Sequence, residues 1–132
     1  MNKIMLVEDD ATMLSLLSTL LQMEGFEVNQ AGEEDIEGIL KKIEREKPDL
    51  TLIDVNLRQA NGLDILEQIR ANIELKDIKV LMSSGMDVGH ECLQAGADGF
   101  MLKPYMPDEL INKIKYILNG NRNSSRDLPG DS

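Results

Sequence analysis

Acidic side chains follow two apolar runs of this 132-residue chain. Glu8 and Asp9 come directly after residues 4–7, and Asp54 ends the run 50–54. Carboxylates that lie close together repel one another unless a cation lies between them. Mg²⁺ suits such a set, because it binds through a few carboxylate oxygens and keeps waters that a phosphate can replace. The pattern therefore predicts a magnesium site where a carboxylate serves as nucleophile in phosphoryl transfer.

A hydroxyl and an ammonium group follow two later apolar runs. Ser84 comes after residues 79–83, and Lys103 comes after residues 99–102. Taken alone, Ser84 is as easily a turn residue, and Lys103 is as easily a surface lysine. Their arrival at the ends of neighbouring predicted strands favours a second interpretation, in which both donate hydrogen bonds to phosphoryl oxygens.

The sequence predicts that five strands alternating with five helices position these groups. The predicted strands are residues 4–7, 27–31, 50–54, 79–83 and 99–102. Helical spacing of apolar residues predicts the helices: Met13, Leu16, Leu17, Leu20 and Leu21; Ile36, Ile39, Leu40 and Ile43; Leu63, Leu66, Ile69 and Ile73; a weakly patterned segment at 88–95; and Leu110, Ile114, Ile117 and Leu118. This alternation predicts an α/β fold with a doubly wound parallel sheet. Ligands of such sheets bind at the carboxyl ends of the strands.

Composition limits the partners and the compartment. The net charge of −10 argues against direct binding of nucleic acid or an anionic membrane by this domain. Cys92 is the only cysteine, which excludes an internal disulfide and fits a reducing cytoplasm. The first apolar run is too short for a signal peptide or a membrane span. We expect one domain over residues 1–119 and a flexible linker or disordered tail over 120–132, where polar and helix-breaking residues dominate.

Four motifs together resemble the response-regulator receiver domain family of two-component systems, the CheY-like proteins. They are Ile4 to Asp10, Asp54-Val55-Asn56-Leu57 with Gly62-Leu63, Val80 to Gly85, and Ala95 to Pro104. The resemblance ends before the tail. It implies the flavodoxin-like receiver fold of five strand–helix units.

The same resemblance implies a phosphorylation chemistry. Asp54 is then the phosphoacceptor, which takes its phosphoryl group from a histidine kinase, a phosphotransfer protein or a small acyl phosphate. Asp9, Asp54 and the backbone carbonyl of Asn56 bind Mg²⁺ directly, and Glu8 acts through a bound water. The chain would catalyse only its own phosphorylation and dephosphorylation, and would not otherwise be an enzyme.

The resemblance further implies a conformational output. Ser84 and Lys103 hold the phosphoryl oxygens, the Lys103–Pro104 bond is cis, and Phe100 is an aromatic switch that packs inward when Ser84 moves toward the phosphate. The fourth helix, fifth strand and fifth helix then form the surface that changes. It would signal to a downstream protein or an output domain, or join two copies of the chain.

Two positions depart from the family pattern. Arg58 stands where the family usually has proline, so we expect a less constrained loop there. Phe100 stands where many members have tyrosine, so it can act by packing but offers no hydroxyl.

Met86 and Asn56 flank the predicted phosphoryl position, and an apolar Met86 should hinder an attacking water.

Three other functions compete with this one. A haloacid-dehalogenase-like phosphatase would need a second aspartate two positions after Asp54, where the chain has Asn56. A flavodoxin-like cofactor binder needs a hydroxyl-rich phosphate loop after the first strand, and the acids here would repel phosphate. A receiver-like interaction module that is never phosphorylated stays open, since only the intact acid, serine and lysine set opposes it. His90 and Cys92 are two ligands without a third and predict no zinc site.

Overall fold

A computed structural model describes residues 2–120 of the chain. Its strands are β1 (Lys3–Val7), β2 (Glu27–Ala31), β3 (Leu50–Asp54), β4 (Lys79–Ser84) and β5 (Gly99–Leu102). Its helices are α1 (Ala11–Met23), α2 (Ile36–Glu46), α3 (Gly62–Ala71), α4 (Gly89–Gln94) and α5 (Pro107–Leu118). The predicted linker at 120–132 lies, apart from Gly120, outside the described residues.

All five strands form one parallel sheet in the order β2-β1-β3-β4-β5. The α/β prediction and the place of each strand are confirmed; β1 begins one residue earlier than expected and β4 extends to Ser84. The chain leaves β1 toward β2 on one side and later returns to β3 on the other. This reversal puts the carboxyl ends of β1 and β3 side by side, where ligands of such sheets bind.

Apolar side chains cover both faces of the sheet. Residues of β1 alternate between them, with Met5 and Val7 on one face and Ile4 and Leu6 on the other. The first face packs against α2, α3 and α4 through Ile39, Ile43, Ile65, Leu66, Ile69 and Cys92. The second packs against α1 and α5 through Leu17, Leu21, Leu110, Ile111, Ile114 and Ile117. Burial on both faces explains why β1 and β3 are nearly continuous apolar runs.

Two predicted helical faces differ from the structure. In α1 the buried residues are Leu17, Ser18 and Leu21, while Leu16 is 62% exposed. The Ser18 hydroxyl accepts a hydrogen bond from Gln30 Nε2 at 2.6 Å, so the face that meets β2 contains a polar residue. The expected apolar stripe was therefore too wide, because five apolar residues at helical spacing do not fix the rotation of the helix.

The predicted third helix included Ile73, which was wrong. The helix ends at Ala71, and Asn72 follows in an extended conformation with its side chain accepting from the Glu74 amide at 2.8 Å. Ile73 lies in the turn that results and is 83% exposed.

The first and fourth helices differ in how they begin. Asp10 caps α1 by accepting a hydrogen bond from the Met13 amide at 3.0 Å. The weakly patterned fourth helix is the shortest one described, with six residues and no side-chain cap. None of the helices within residues 2–120 is long and apolar enough to span a membrane.

An arginine clamp connects the loops at the amino ends of β4 and β5. Arg70 pairs with Asp98 at 2.9 Å, and Asp98 also accepts from the Val80 amide at 2.9 Å. The Arg70 guanidinium donates to three backbone carbonyls as well, those of Gly96 at 2.8 Å, Lys76 at 2.8 Å and Ile78 at 2.6 Å. This clamp fixes the segment leading into β5, which carries Lys103 to the site.

Candidate functional site

The carboxyl ends of β1, β3 and β5 meet around one ammonium group. Lys103 Nζ lies 3.2 Å from Glu8 Oε1 and 3.2 Å from Asp54 Oδ2. The side chains of Glu8 and Asp54 are 8% and 10% exposed, and that of Lys103 is 24% exposed. The structure thus brings together three residues that the sequence assigned to one site.

The charged side chains of Glu8, Asp54 and Lys103 affect one another's pKa values. Burial and the charge of Asp54 raise the pKa of Glu8, and Lys103 opposes this rise. Burial would lower the pKa of Lys103, but the charges of Asp54 and Glu8 outweigh it and raise that pKa. The ammonium therefore stays protonated, and the buried carboxylates depend on it.

The turn after β1 fixes the remaining oxygen of Glu8. Its Oε2 accepts from the backbone amides of Asp9 at 3.0 Å and Asp10 at 3.3 Å. Gly32 lies against the backbone of Glu8: a Cβ added there would lie 2.4 Å from the Glu8 carbonyl oxygen. A side chain at position 32 would displace the strand end that holds Glu8.

A second close approach sets the loop after Asp54. A Cβ added to Gly62 at the start of α3 would lie 2.4 Å from the Asp54 carbonyl oxygen. The Gly62 amide donates to the Val55 carbonyl at 2.8 Å, and Asn56 pairs with Asn61 in an isolated bridge. The loop between β3 and α3 is thereby closed on itself next to Asp54.

Asp9 is held by this loop rather than by Lys103. Its Oδ2 accepts a hydrogen bond from the Arg58 backbone amide at 2.5 Å. Among residues 2–120, no three acidic, histidine or cysteine side chains converge as a ready metal-binding cluster. The ammonium lies between Glu8 and Asp54, and Asp9 is bonded to the loop between β3 and α3.

The donors at this edge suit a hard cation nonetheless. Asp54 ends β3, Asp9 and Asn56 lie on the loops after β1 and β3, and the Asn56 amide donates to Asp54 Oδ1 at 3.1 Å. Mg²⁺ needs only one or two carboxylates, because it keeps several of its waters. The oxygen donors present therefore fit Mg²⁺ without a third direct acid.

Ser84 lies at the next strand end and is fully buried. Its hydroxyl donates to Asn56 Oδ1 at 2.9 Å and accepts from the Met86 amide at 3.0 Å. The sequence predicted that the Asn56 carbonyl binds Mg²⁺ and that Asn56 flanks the phosphoryl position, but the contact of its side chain with Ser84 was missed. Met86, whose amide donates to Ser84, has a side chain that is 60% exposed, and its effect on an attacking water stays a prediction.

Phe100 is 2% exposed and packs in the core between the sheet and α4. This is the inward position, so the movement expected of a switch stays a prediction. The Lys103–Pro104 peptide bond is cis, as predicted. His90 is exposed whereas Cys92 is buried, so the two do not form a joint metal site.

Tyr105 was not singled out from the sequence. Its hydroxyl is buried without a hydrogen-bond partner among the described residues. It lines a small cavity with Glu8, Asp54 and Ser83, and burial raises its pKa. The position two residues after Lys103 was the only sequence signal, and it does not predict the direction of the ring.

Comparisons with known proteins agree on one family. A model described as the response regulator receiver domain matches residues 4–115. The transcriptional regulatory protein CpxR homolog of Haemophilus influenzae is 36% identical over 129 residues, which cover 97% of this chain and 55% of that protein. The chain thus spans about half the length of this relative.

Solved structures show the same architecture. A CheY-like receiver domain protein from Methanospirillum hungatei is 32% identical with a TM-score of 0.80, covering 91% of this chain and 95% of that one. The receiver domain of the sensor histidine kinase PA1611 from Pseudomonas aeruginosa has a TM-score of 0.78 at 24% identity, covering 89% and 98% of the two chains. That protein was crystallised with a magnesium ion in its active site cleft.

Proposed function

This chain belongs to the response regulator receiver domain family, and from that membership we propose that Asp54 accepts a phosphoryl group in a magnesium-dependent reaction. The observation that carries the proposal is the nearly buried Asp54 carboxylate, which lies 3.2 Å from the Lys103 ammonium at the edge where the strand order reverses. An aspartate in this position can act as a nucleophile toward phosphorus and form a covalent intermediate.

Each site residue has a separate role in the proposed phosphoryl transfer. An Asp54 oxygen forms the new bond to phosphorus while the bond to the donor nitrogen or acyl oxygen breaks, and the electron pair leaves with the donor. Lys103 turns from its carboxylate partners to the equatorial phosphoryl oxygens, where negative charge accumulates. Asp9, Asp54 and the Asn56 carbonyl would hold Mg²⁺, and Glu8 would act through a bound water; the cation would supply further charge neutralisation.

Ser84 links the phosphoryl group to the rest of the domain. Its hydroxyl gives up its bond to Asn56 and donates to a phosphoryl oxygen instead. The Met86 amide, which now donates to Ser84, moves with it and shifts the segment entering α4. Because α4 is short and has no side-chain cap, it moves at small cost. Phe100 then changes its packing between the sheet and α4. As a result, the conformation of the surface formed by α4, β5 and α5 changes.

The partners follow from this role. The phosphoryl donor is a histidine kinase or a phosphotransfer protein, and the changed surface meets a downstream protein, an output domain or a second copy of the chain. The relative from Haemophilus influenzae is named a transcriptional regulatory protein, and the match covers 55% of its length. We therefore include transcriptional regulation among the proposed outputs. In this role the chain works in the cytoplasm, where Cys92 stays reduced.

Intact mass after incubation with Mg²⁺ and acetyl phosphate tests the proposal. We expect one phosphoryl adduct in the wild type and none in Asp54→Asn. Asp64→Asn is the matched control, because Asp64 is an exposed aspartate in the first turn of α3. A wild type without an adduct would instead support an interaction module that is never phosphorylated.

A separate experiment tests the conformational output. Hydrogen exchange over residues 84–106 should change when a phosphoryl analogue is added with Mg²⁺. Identical exchange over this range with and without the analogue would refute the switching surface, whatever the outcome of the mass measurement.

A further inference from the structure

A hydrogen bond between two loops holds the acid that lies outside the lysine triad. Lys103 contacts Glu8 and Asp54, whereas Asp9 accepts a hydrogen bond from the Arg58 backbone amide at 2.5 Å. Asp9 follows β1, and Arg58 lies 49 residues further on, between β3 and α3. The bond therefore joins the two loops that carry the proposed magnesium ligands.

This bond depends on the residue type at position 58. Proline, which the receiver family usually has here, carries no backbone N–H and could not donate. Arg58 restores the donor, and the loop around it is braced by the Asn56–Asn61 bridge and by the bond from Gly62 to Val55. The Arg58 amide thus donates to Asp9 from a loop that these two contacts close.

We propose that the Arg58 backbone amide is a positioning group for magnesium, which holds the Asp9 carboxylate at the site before the cation arrives. The inference rests on the proposed function. Asp9 is half-buried and directly follows the buried Glu8, and like charges that lie close together repel one another. A charge-assisted hydrogen bond of this length opposes that movement.

The bond also connects Asp9 to the loop that carries a second proposed ligand. Asn56, whose carbonyl is proposed to bind Mg²⁺, lies two residues before Arg58 in the same loop. Mg²⁺ requires nearly ideal octahedral geometry, so a site with its ligands already placed binds it more tightly. Groups that orient metal ligands change metal affinity by about 10–100-fold when they are removed.

Two substitutions at one position separate the amide from the side chain. Arg58→Pro removes the N–H and the guanidinium, whereas Arg58→Ala removes the guanidinium only. Titration calorimetry of the full chain with Mg²⁺ should show weaker binding by the proline variant, with a dissociation constant at least about tenfold larger than that of the alanine variant. Equal affinities, or tighter binding by the proline variant, would overturn the inference.

Amide exchange tests the bond without any metal. The Arg58 N–H should exchange slowly in the wild type, faster in Asp9→Ala, and at an intermediate rate in Asp9→Asn, whose side-chain carbonyl still accepts. The same rate in the wild type and Asp9→Ala would overturn the inference even if the proline variant failed to fold.

Failure of this inference is distinguishable from failure of the proposed function. A wild type that does not bind Mg²⁺ contradicts both. A wild type that binds Mg²⁺ and forms the phosphoryl adduct, with equal affinity in the proline and alanine variants, contradicts the positioning role alone.

Discussion

Removing the ammonium of Lys103 should destabilise the domain more than an ordinary surface substitution does. In Lys103→Met, the carboxylates of Glu8 and Asp54 lose a partner that each contacts at 3.2 Å. With an effective dielectric of about 20, each contact corresponds to roughly 5 kcal/mol of attraction before desolvation is subtracted. Removal of one partner from a buried pair costs about 3–5 kcal/mol.

Two effects reduce this cost. The Lys103 side chain is 24% exposed, so the carboxylates regain some water when it is removed. Glu8, whose pKa is already raised by burial and by Asp54, can take up a proton in the variant. We therefore expect a loss of about 2–4 kcal/mol in the free energy of unfolding near neutral pH.

The pH dependence identifies the cause. A carboxyl group with a raised pKa in the folded state stabilises fully below its unfolded value, 4.5 for Glu8, and this contribution is lost as pH rises through the folded pKa. Without Lys103 that pKa rises further. The stability difference between wild type and Lys103→Met should therefore be small in acid and grow toward neutral pH.

Urea denaturation of the metal-free protein, followed by far-ultraviolet circular dichroism, measures both quantities. Lys115→Met is the matched control, because Lys115 pairs with Glu24 at 3.5 Å where the side chains are 52% and 40% exposed. Such a pair contributes about 0–1 kcal/mol. A Lys103→Met variant no less stable than Lys115→Met, or with a deficit independent of pH, would refute the reasoning.

Three further predictions concern other parts of the domain. Met86→Gln should speed loss of the phosphoryl group severalfold, because a polar side chain can orient the attacking water; a phosphate-release assay in which its rate matches that of Met23→Gln would contradict this. Arg70→Met should cost about 3–5 kcal/mol in urea denaturation, because it leaves the 13% exposed Asp98 without a cationic partner, and a loss below about 1 kcal/mol would argue against the clamp. Cys92 is fully buried with its pKa raised to about 11, so a thiol reagent should label it only after unfolding, and rapid labelling of the native protein would contradict that burial.

The sheet and the meeting of the site residues were predictable from the sequence. Strands buried on both faces are continuous apolar runs, as in β1 and β3, and parallel strands place their carboxyl ends at one edge. Glu8, Asp54 and Lys103 therefore had to approach one another once the strands were assigned. The weak apolar pattern at 88–95 located α4, but it did not predict the six-residue length of this helix or the absence of a side-chain cap.

Contacts that depend on loop direction or helix rotation were not predictable. Leu16 has the same spacing as Leu17 and Leu20, and only packing against β2 determines that it faces solvent. The bond from Arg58 to Asp9 requires the conformation of a loop, which residue types alone do not give. Arg70 reaches carbonyls of two separate loops through a long side chain, and its position in α3 carries no signal of that.

The most direct test of the account is the chemical identity of residue 54 after phosphorylation. Borohydride reduces an acyl phosphate to the corresponding alcohol, so a phosphorylated aspartate becomes homoserine and is located by peptide mass spectrometry. We predict homoserine at position 54 after incubation with acetyl phosphate and Mg²⁺, and unmodified aspartate there when a chelator removes the metal. Aspartate at position 54 in both samples, or reduction at Glu8 or Asp9 instead, would contradict the account.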